Sequence, residues 1–192
     1  MLAAALHGPS PVQPGQVDAA DLVAQIARKA QGIAGAAVEM GPVAETVVML
    51  DAARITQAML QLAQNAVTHG GGTMRIGSSL TGDDLEFWVR DHGPGVSDEV
   101  KPRVFERFHR GTDASGRSGS GLGLHIVQVI ARAHRGSARV EDAPDGGAVF
   151  VLRVPRVAAV ADGARAATDI VIPPRPPLPE HDRSAPAAEG GR

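Results

Sequence analysis

Two short glycine runs, roughly thirty residues apart, carry the residue types best suited to chemistry in this 192-residue chain. Asp91-His92-Gly93-Pro94-Gly95 closes an apolar stretch, and Gly119-Ser120-Gly121-Leu122-Gly123-Leu124 opens a second one with helical spacing. A carboxylate at a strand end can accept the exocyclic amine of adenine, whereas guanine has an oxygen in that position. Gly93 and Gly95 let the backbone turn tightly beside a ligand. The amides of Gly119, Gly121 and Gly123 precede a helix start, whose partial positive charge suits phosphate. No Lys-Ser or Lys-Thr pair follows these glycines, so they are not a Walker loop, and a loop rather than a strand precedes them, unlike a dinucleotide fingerprint.

Two further groups belong with the glycines. On the stretch after Asp51, Ile55, Met59, Leu62 and Ala66 form an apolar stripe, while Gln57, Gln61, Asn65 and Thr68 project from another side and His69 follows Asn65 by one turn. A carboxamide oxygen is a hard ligand suited to Mg2+, which shares its shell with waters and substrate phosphates. Between the glycine runs, Phe105 and Phe108 need somewhere to dock, and Arg107 and Arg110 suit the charge that develops on a transferred phosphoryl group. Singly, each group has a plainer reading: an Asp-Gly turn, a hinge, a solvated helix face, a surface helix held by two rings.

The elements that must position these residues follow from periodicity and punctuation. Residues 8–16 are Pro- and Gly-rich and read as a linker; Asp18 caps a helix to about Gln31, with Leu22, Val23 and Ile26 buried. Ala36–Met40 and Thr46–Leu50 read as short strands. A helix of roughly 17 residues starts at Asp51, and Thr73–Thr81 with Leu85–Asp91 forms a hairpin turning at Gly82-Asp83. Phe87 and Val89 are expected inside. Residues 92–120 form a long loop with helical turns at Ser97–Pro102 and around Phe105; a loop of that length in a compact domain is usually functional. Leu122–His134 is a helix with Leu122, Ile126, Val129, Ile130 and Ala133 on its packed face. Ser137–Glu141 and Ala148–Val154 pair through a turn at Pro144–Gly147. The chain divides into an N-terminal stump and linker (1–16), a folded domain (17–156) and an Ala/Pro/Arg-rich tail (157–192) read as disordered. Without regular βαβ units, the order argues for an α+β two-layer sandwich.

Composition narrows the classes. Hydrophobic residues make up 43% and aromatics 3%, so aliphatic side chains fill the core. A net charge of -2 offers no global attraction to nucleic acid or anionic membrane, and no apolar run approaches the ~20 residues that span a bilayer. With no cysteine there is no disulfide or thiolate metal site, and the chain reads as cytoplasmic.

In order and spacing, Asn65, Asp91-x-Gly-x-Gly, Phe105/Phe108 and Gly119-x-Gly-Leu-Gly-Leu resemble the N, G1, F and G2 boxes of sensor histidine kinases, in the ATP-binding superfamily shared with gyrase, Hsp90 and MutL. The resemblance covers about residues 17–155. It implies a Bergerat fold, a mixed sheet backed by helices with ATP beneath a long mobile lid at about 96–120. It further implies that Asp91 binds the adenine amine, that Asn65 coordinates Mg2+ with help from Gln61, and that Gly93 and Gly95 let the lid bend. Val96 and His69 would lie near the nucleotide, and the amides of Gly119–Leu124, including Leu122 and Gly123, would meet the phosphates. The family often has Asn where this chain has Gln61, and Lys or Arg where it has Thr68, so nucleotide affinity is expected to be modest.

The implied activity is that of a protein histidine kinase, moving the ATP γ-phosphoryl to a histidine on a separate domain or partner, with a response regulator downstream. None of the seven histidines lies in a phosphoacceptor helix, and His181-Asp182 sits in the Pro-rich tail. Met1–Leu6 resembles the stump of the missing helical hairpin, so the chain reads as a fragment or one half of a split kinase. Three alternatives stand beside this. A gyrase/MutL-type ATPase needs a Glu where Gln61 stands. An anti-sigma serine kinase generally lacks the Phe box. A non-catalytic nucleotide-binding module is kept open by Gln61 and Thr68.

Overall fold

The computed structural model describes residues 12–107 and 122–155. Its elements are β1 (Gly15–Asp18), α1 (Ala19–Gln31), β2 (Ala37–Met40), β3 (Val47–Leu50), α2 (Ala52–His69), β4 (Thr73–Thr81), β5 (Asp84–Asp91), α3 (Gly123–Ala133), β6 (Ser137–Asp142) and β7 (Ala148–Pro155). A five-stranded sheet runs β2-β4-β5-β7-β6, and β1 pairs with β3 in a separate two-stranded ribbon. Only β2 and β4 are parallel; the other neighbours are antiparallel. The sheet is therefore mixed, and all three helices pack on one of its faces.

Alternation along the strands builds the core. Leu85, Phe87 and Val89 of β5 and Phe150, Leu152 and Val154 of β7 face the helices and are buried. They meet Ile26 of α1, Ile55, Met59 and Leu62 of α2, and Val127 and Ile130 of α3 in one cluster. The stripe expected on α2 is buried in full, as are Phe87 and Val89. The opposite sheet face carries cross-strand ion pairs, among them Arg75–Glu39, Arg139–Glu86 and Arg153–Asp84.

Two expectations need correction. Residues 15–16 were expected in a linker, but they belong to β1, whose Gly15 pairs with Leu50 and Val17 with Val48. Four residues beside a proline give no periodicity to read; the pairing partner makes this strand. On α3, the packed residues are Val127, Ile130 and Ala131, whereas Val129, expected inside, is 37% exposed. Ile130 is buried and Ile126 packs against the core as expected; with His125, Gln128 and Arg132 on the far side, the packed face is turned toward Val127 and away from Val129.

The orientation of α3 is set at its ends. His134 Nδ1 lies 2.9 Å from the Ile130 carbonyl oxygen, and the Asp51 amide donates to His134 Nε2 at 3.2 Å. An accepting Nε2 puts the proton on Nδ1, which donates to Ile130. Asp51 is also the α2 N-cap: Oδ1 accepts from Arg54 N–H at 3.1 Å and Oδ2 from Gln13 N–H at 3.1 Å. Burial pushes the Asp51 carboxyl up, but the Gln13 and Arg54 amides and the charge of Arg54 outweigh it and hold it below its ordinary value.

Beyond His134 the helix closes in a Schellman turn. Gly136 N–H donates to Ala131 O at 2.8 Å and Arg135 N–H to Arg132 O at 2.9 Å. Arg135 holds the left-handed position at φ 58, the only non-glycine to do so among the described residues.

Two predictions follow from these ends. Arg135→Gly removes the left-handed penalty, offset in part by glycine's unfolded-state entropy, and should raise stability by about 0.5–1 kcal/mol in chemical denaturation. Asp51→Ala should cost about 1 kcal/mol. Because the folded carboxyl lies below its ordinary value of 3.8, its contribution is present above that pH and lost as pH falls through the lower folded value. Asp51→Asn should accordingly flatten the acid limb of the stability–pH curve.

Candidate functional site

Asp91 ends β5 and is 5% exposed. Its Oδ1 accepts from the Gly93 amide at 2.9 Å and from the Ala148 amide at 3.1 Å. Two backbone donors make a buried carboxylate tolerable. Both bonds fall on Oδ1, so the lone pairs of Oδ2 are the ones a bound donor can use.

Glycines on three segments close around this residue. A Cβ on Gly70, the α2 C-cap, would lie 2.5 Å from Asp91 Cβ. One on Gly93 would lie 2.7 Å from Gly70 Cα and 2.8 Å from the His69 carbonyl oxygen. Gly147, at φ +87 in the β6–β7 turn, leaves no room for a Cβ against the Asp91 carbonyl. Gly95, at φ +80, takes the turn expected of it.

At the middle of α2, a Cβ on Gly123 would lie 2.8 Å from Gln61 Oε1. Positions 61, 65 and 69 are successive turns of one helix face. That face touches the start of α3 through Gln61 and the loop after β5 through the His69 backbone. Asn65, half-buried, stands one turn from each. The spacing read in the sequence thus becomes a single face of α2. A carboxamide there suits a hard cation that completes its shell with phosphate oxygens and water. Among the described residues no cluster of three His, Cys, Asp or Glu side chains offers a metal cage of protein ligands alone.

The loop after β5 is ordered by its own contacts as far as it is described. Lys101 reaches Asp98 and Asp142, each at 2.6 Å, joining its first turn to the end of β6. Arg90 bonds Asp145 of the β6–β7 turn at 3.0 Å. Phe105 is 5% exposed and meets Phe150 edge-on, with ring centroids 6.3 Å apart at 79°, and its carbonyl oxygen lies 3.4 Å from His125 Nδ1. Val96 packs partly buried against the core. His69 and Arg107 are exposed. Leu122 precedes α3 as its N-cap without a side-chain hydrogen bond, and Leu124 is half-buried. Phe108, Arg110, Gly119 and Gly121 lie outside the described residues.

Sequence reasoning missed Gly70, Gly147 and the Ala148 amide. The Gly70-Gly71-Gly72 run was a visible signal, but nothing in it marks Gly70 as the residue against Asp91. The Ala148 amide is 57 residues away in sequence, and only the β5–β7 register brings it there.

Residues 50–158 match the family described as histidine kinase-, DNA gyrase B-, and HSP90-like ATPase. The chain belongs to this ATPase family. It is 42% identical over 108 residues to the signal transduction histidine-protein kinase AfsQ2 of Streptomyces coelicolor, a match covering 56% of this chain and 20% of that protein. Over 108 residues it is 37% identical to the sensor histidine kinase component HK1 of Mycobacterium tuberculosis, covering 56% of this chain and 64% of that one. The chain therefore spans less than two thirds of these relatives. The ATP-binding domain of PrrB from Mycobacterium tuberculosis superposes with a TM-score of 0.63 at 30% identity, covering 76% of this chain and 98% of that chain. Full-length ShkA, solved in complex with AMPPNP, gives a TM-score of 0.65 at 30% identity, over 83% of this chain and 34% of that one. The fold is thus the Bergerat fold of histidine kinase catalytic domains, and the chain is an ATP-binding domain of that kind. No described helix is long and apolar enough to cross a membrane.

Phe105 joins the described part of the loop to the sheet. Phe105→Ala should cost about 3 kcal/mol in denaturant unfolding, the usual range for losing a buried ring.

Proposed function

We propose that the chain binds Mg·ATP along the face of α2 that carries Gln61, Asn65 and His69 and transfers the γ-phosphoryl group to a histidine on a separate domain or partner protein. The observation that carries this is the buried Asp91 carboxylate, with Oδ1 held by two amides and Oδ2 left to a bound donor. In this reading Oδ2 accepts the adenine amine, and Val96 and His69 lie beside the base. Gly93 and Gly95 shape the loop that covers the nucleotide. Asn65 holds the metal, with the Gln61 carboxamide one turn away. The amides of Gly119, Gly121, Leu122, Gly123 and Leu124 receive the phosphates. Mg2+, when bound, neutralises phosphate charge and orients the γ-phosphoryl group.

Phosphoryl transfer of this type rests on positioning and charge neutralisation. The partner's imidazole nitrogen attacks in line, forming the N–P bond as the bond from phosphorus to the bridging oxygen breaks and ADP leaves. Arg107 and Arg110 neutralise charge on the transferred group. The proton on the attacking imidazole passes to an acceptor on the partner. A response regulator then receives the phosphoryl group, and the work takes place in the cytoplasm, where ATP is available. The names of the relatives, sensor and signal transduction histidine kinases, favour this reading over a serine kinase or a free ATPase. Gln61 supports it too, because a neutral carboxamide cannot take a proton from water as a general base must.

The test pairs the chain with a separately expressed helical hairpin carrying a phosphoacceptor histidine. Labelled ATP should yield acid-labile phosphohistidine on that partner; phosphoserine, or phosphate release without a partner, would replace the proposal with the corresponding alternative. In calorimetry, Asp91→Asn should weaken ATP binding about tenfold or more and narrow the preference over GTP, as loss of a charge-assisted hydrogen bond requires. Asn65→Ala should remove the Mg2+ dependence of binding in the same titration.

A further inference from the structure

The geometry points to Gly70 as the residue that positions Asp91 and thereby sets the preference for adenine over guanine, a role that rests on the nucleotide reading above. Gly70 caps α2 with φ -99 and ψ 7, a conformation open to any residue. Backbone freedom therefore gives no reason for glycine here, unlike Gly71 and Gly72, at φ +80 and +88. The reason is steric. An added Cβ would lie 2.5 Å from Asp91 Cβ, 2.7 Å from Asp91 Cγ and 2.8 Å from the Ala66 carbonyl oxygen.

The surrounding backbone is held from several sides. Gly70 N–H donates to Ala66 O at 2.8 Å and Gly72 N–H to the same oxygen at 3.1 Å, which pins the end of α2. Gly93 presses from the far side, so close that its own Cβ would strike Gly70 Cα. Asp91 is paired with Met74 in the β4–β5 ladder, which holds its main chain. Rotation about the Asp91 Cα–Cβ bond carries Cγ away from the methyl but leaves Cβ in place at 2.5 Å, so Asp91 itself must shift at the end of β5. That shift takes Oδ1 off the Gly93 and Ala148 amides and moves Oδ2 away from the base. The missing side chain at position 70 thus keeps Asp91 in its recognising position.

The wild type, Gly70→Ala, Asp91→Asn and the double variant are titrated with ATP and with GTP by calorimetry, with melting curves for each. Gly15→Ala serves as control, since its added methyl meets nothing within 4 Å. The ATP:GTP affinity ratio should fall about tenfold in Gly70→Ala and hold in Gly15→Ala. In the double variant it should equal that of Asp91→Asn, because both changes act through one carboxyl. A merely structural Gly70 would weaken both nucleotides by the same factor, and an unchanged ratio overturns the inference. Should Gly70→Ala fail to fold, adding Asp91→Gly removes the two nearest atoms the methyl strikes, Asp91 Cβ and Cγ, and leaves the Ala66 carbonyl oxygen. Recovery of a cooperative melt then supports the inference, and no recovery overturns it. If the wild type itself does not prefer ATP, the nucleotide reading fails first and this inference with it. If Asp91→Asn loses discrimination while Gly70→Ala keeps it, only the inference falls.

Discussion

The interaction on which the rest of this structure depends is the double acceptance by Asp91 Oδ1. A carboxylate buried at a strand end costs several kcal/mol unless its oxygens find donors. Here the donors are main-chain amides on two different segments, Gly93 and Ala148. The β5–β7 ladder runs from Asp84↔Pro155 to Arg90↔Val149 and stops one residue short of Asp91. There the ladder's hydrogen bonds are succeeded by a side-chain bond across the same pair of strands. The β6–β7 turn is drawn in with it: Ala143 N–H donates to Gly147 O, and Asp145 pairs with Arg90. The end of the sheet and the floor of the site are one structure, so the site is as rigid as the sheet.

Helix α2 plays the complementary part, because each of its thirds meets a different neighbour. Its N-cap, Asp51, binds the lead-in at Gln13 and receives His134 from the end of α3. Its middle, at Gln61, abuts Gly123 at the start of α3. Its end, at Gly70, abuts Asp91. The two contacts with α3, at opposite ends of an 11-residue helix, fix its direction as well as its position. Gly123, Val127, Ile130, Ala131 and His134 follow one stripe at helical spacing, opposite Gln128 and Arg132, so these end contacts and the helix's apolar side select the same face.

What could be read from the sequence, and what could not, divides along the same line. Periodicity and caps are local, so α1, α2 and the β4–β5 hairpin were legible, down to Asp18 and Asp51 as caps. Asp91, Asn65 and Gln61 were legible because strand ends and helix turns place side chains by rule. Pairing is not local. Strands β2 and β3, only six residues apart, go to different sheets, and β1 exists because β3 is there to bond it. Gly70 was illegible for a related reason: a glycine records the absence of an atom, and the neighbour that forbids that atom is twenty-one residues away.

The two departures in the helix motif also take on physical meaning. The Thr68 hydroxyl donates to the Gln64 carbonyl oxygen at 2.9 Å, so it is engaged by its own helix. It is therefore no substitute for a cation at that position. Gln61 carries one methylene more than asparagine, and that reach brings Oε1 against position 123. A cation at position 68 would strengthen all nucleoside triphosphates alike and leave the ratio between purines unchanged. Under the proposed reading, discrimination therefore falls to the Asp91 carboxylate, because a fixed carboxylate distinguishes an amine from a carbonyl.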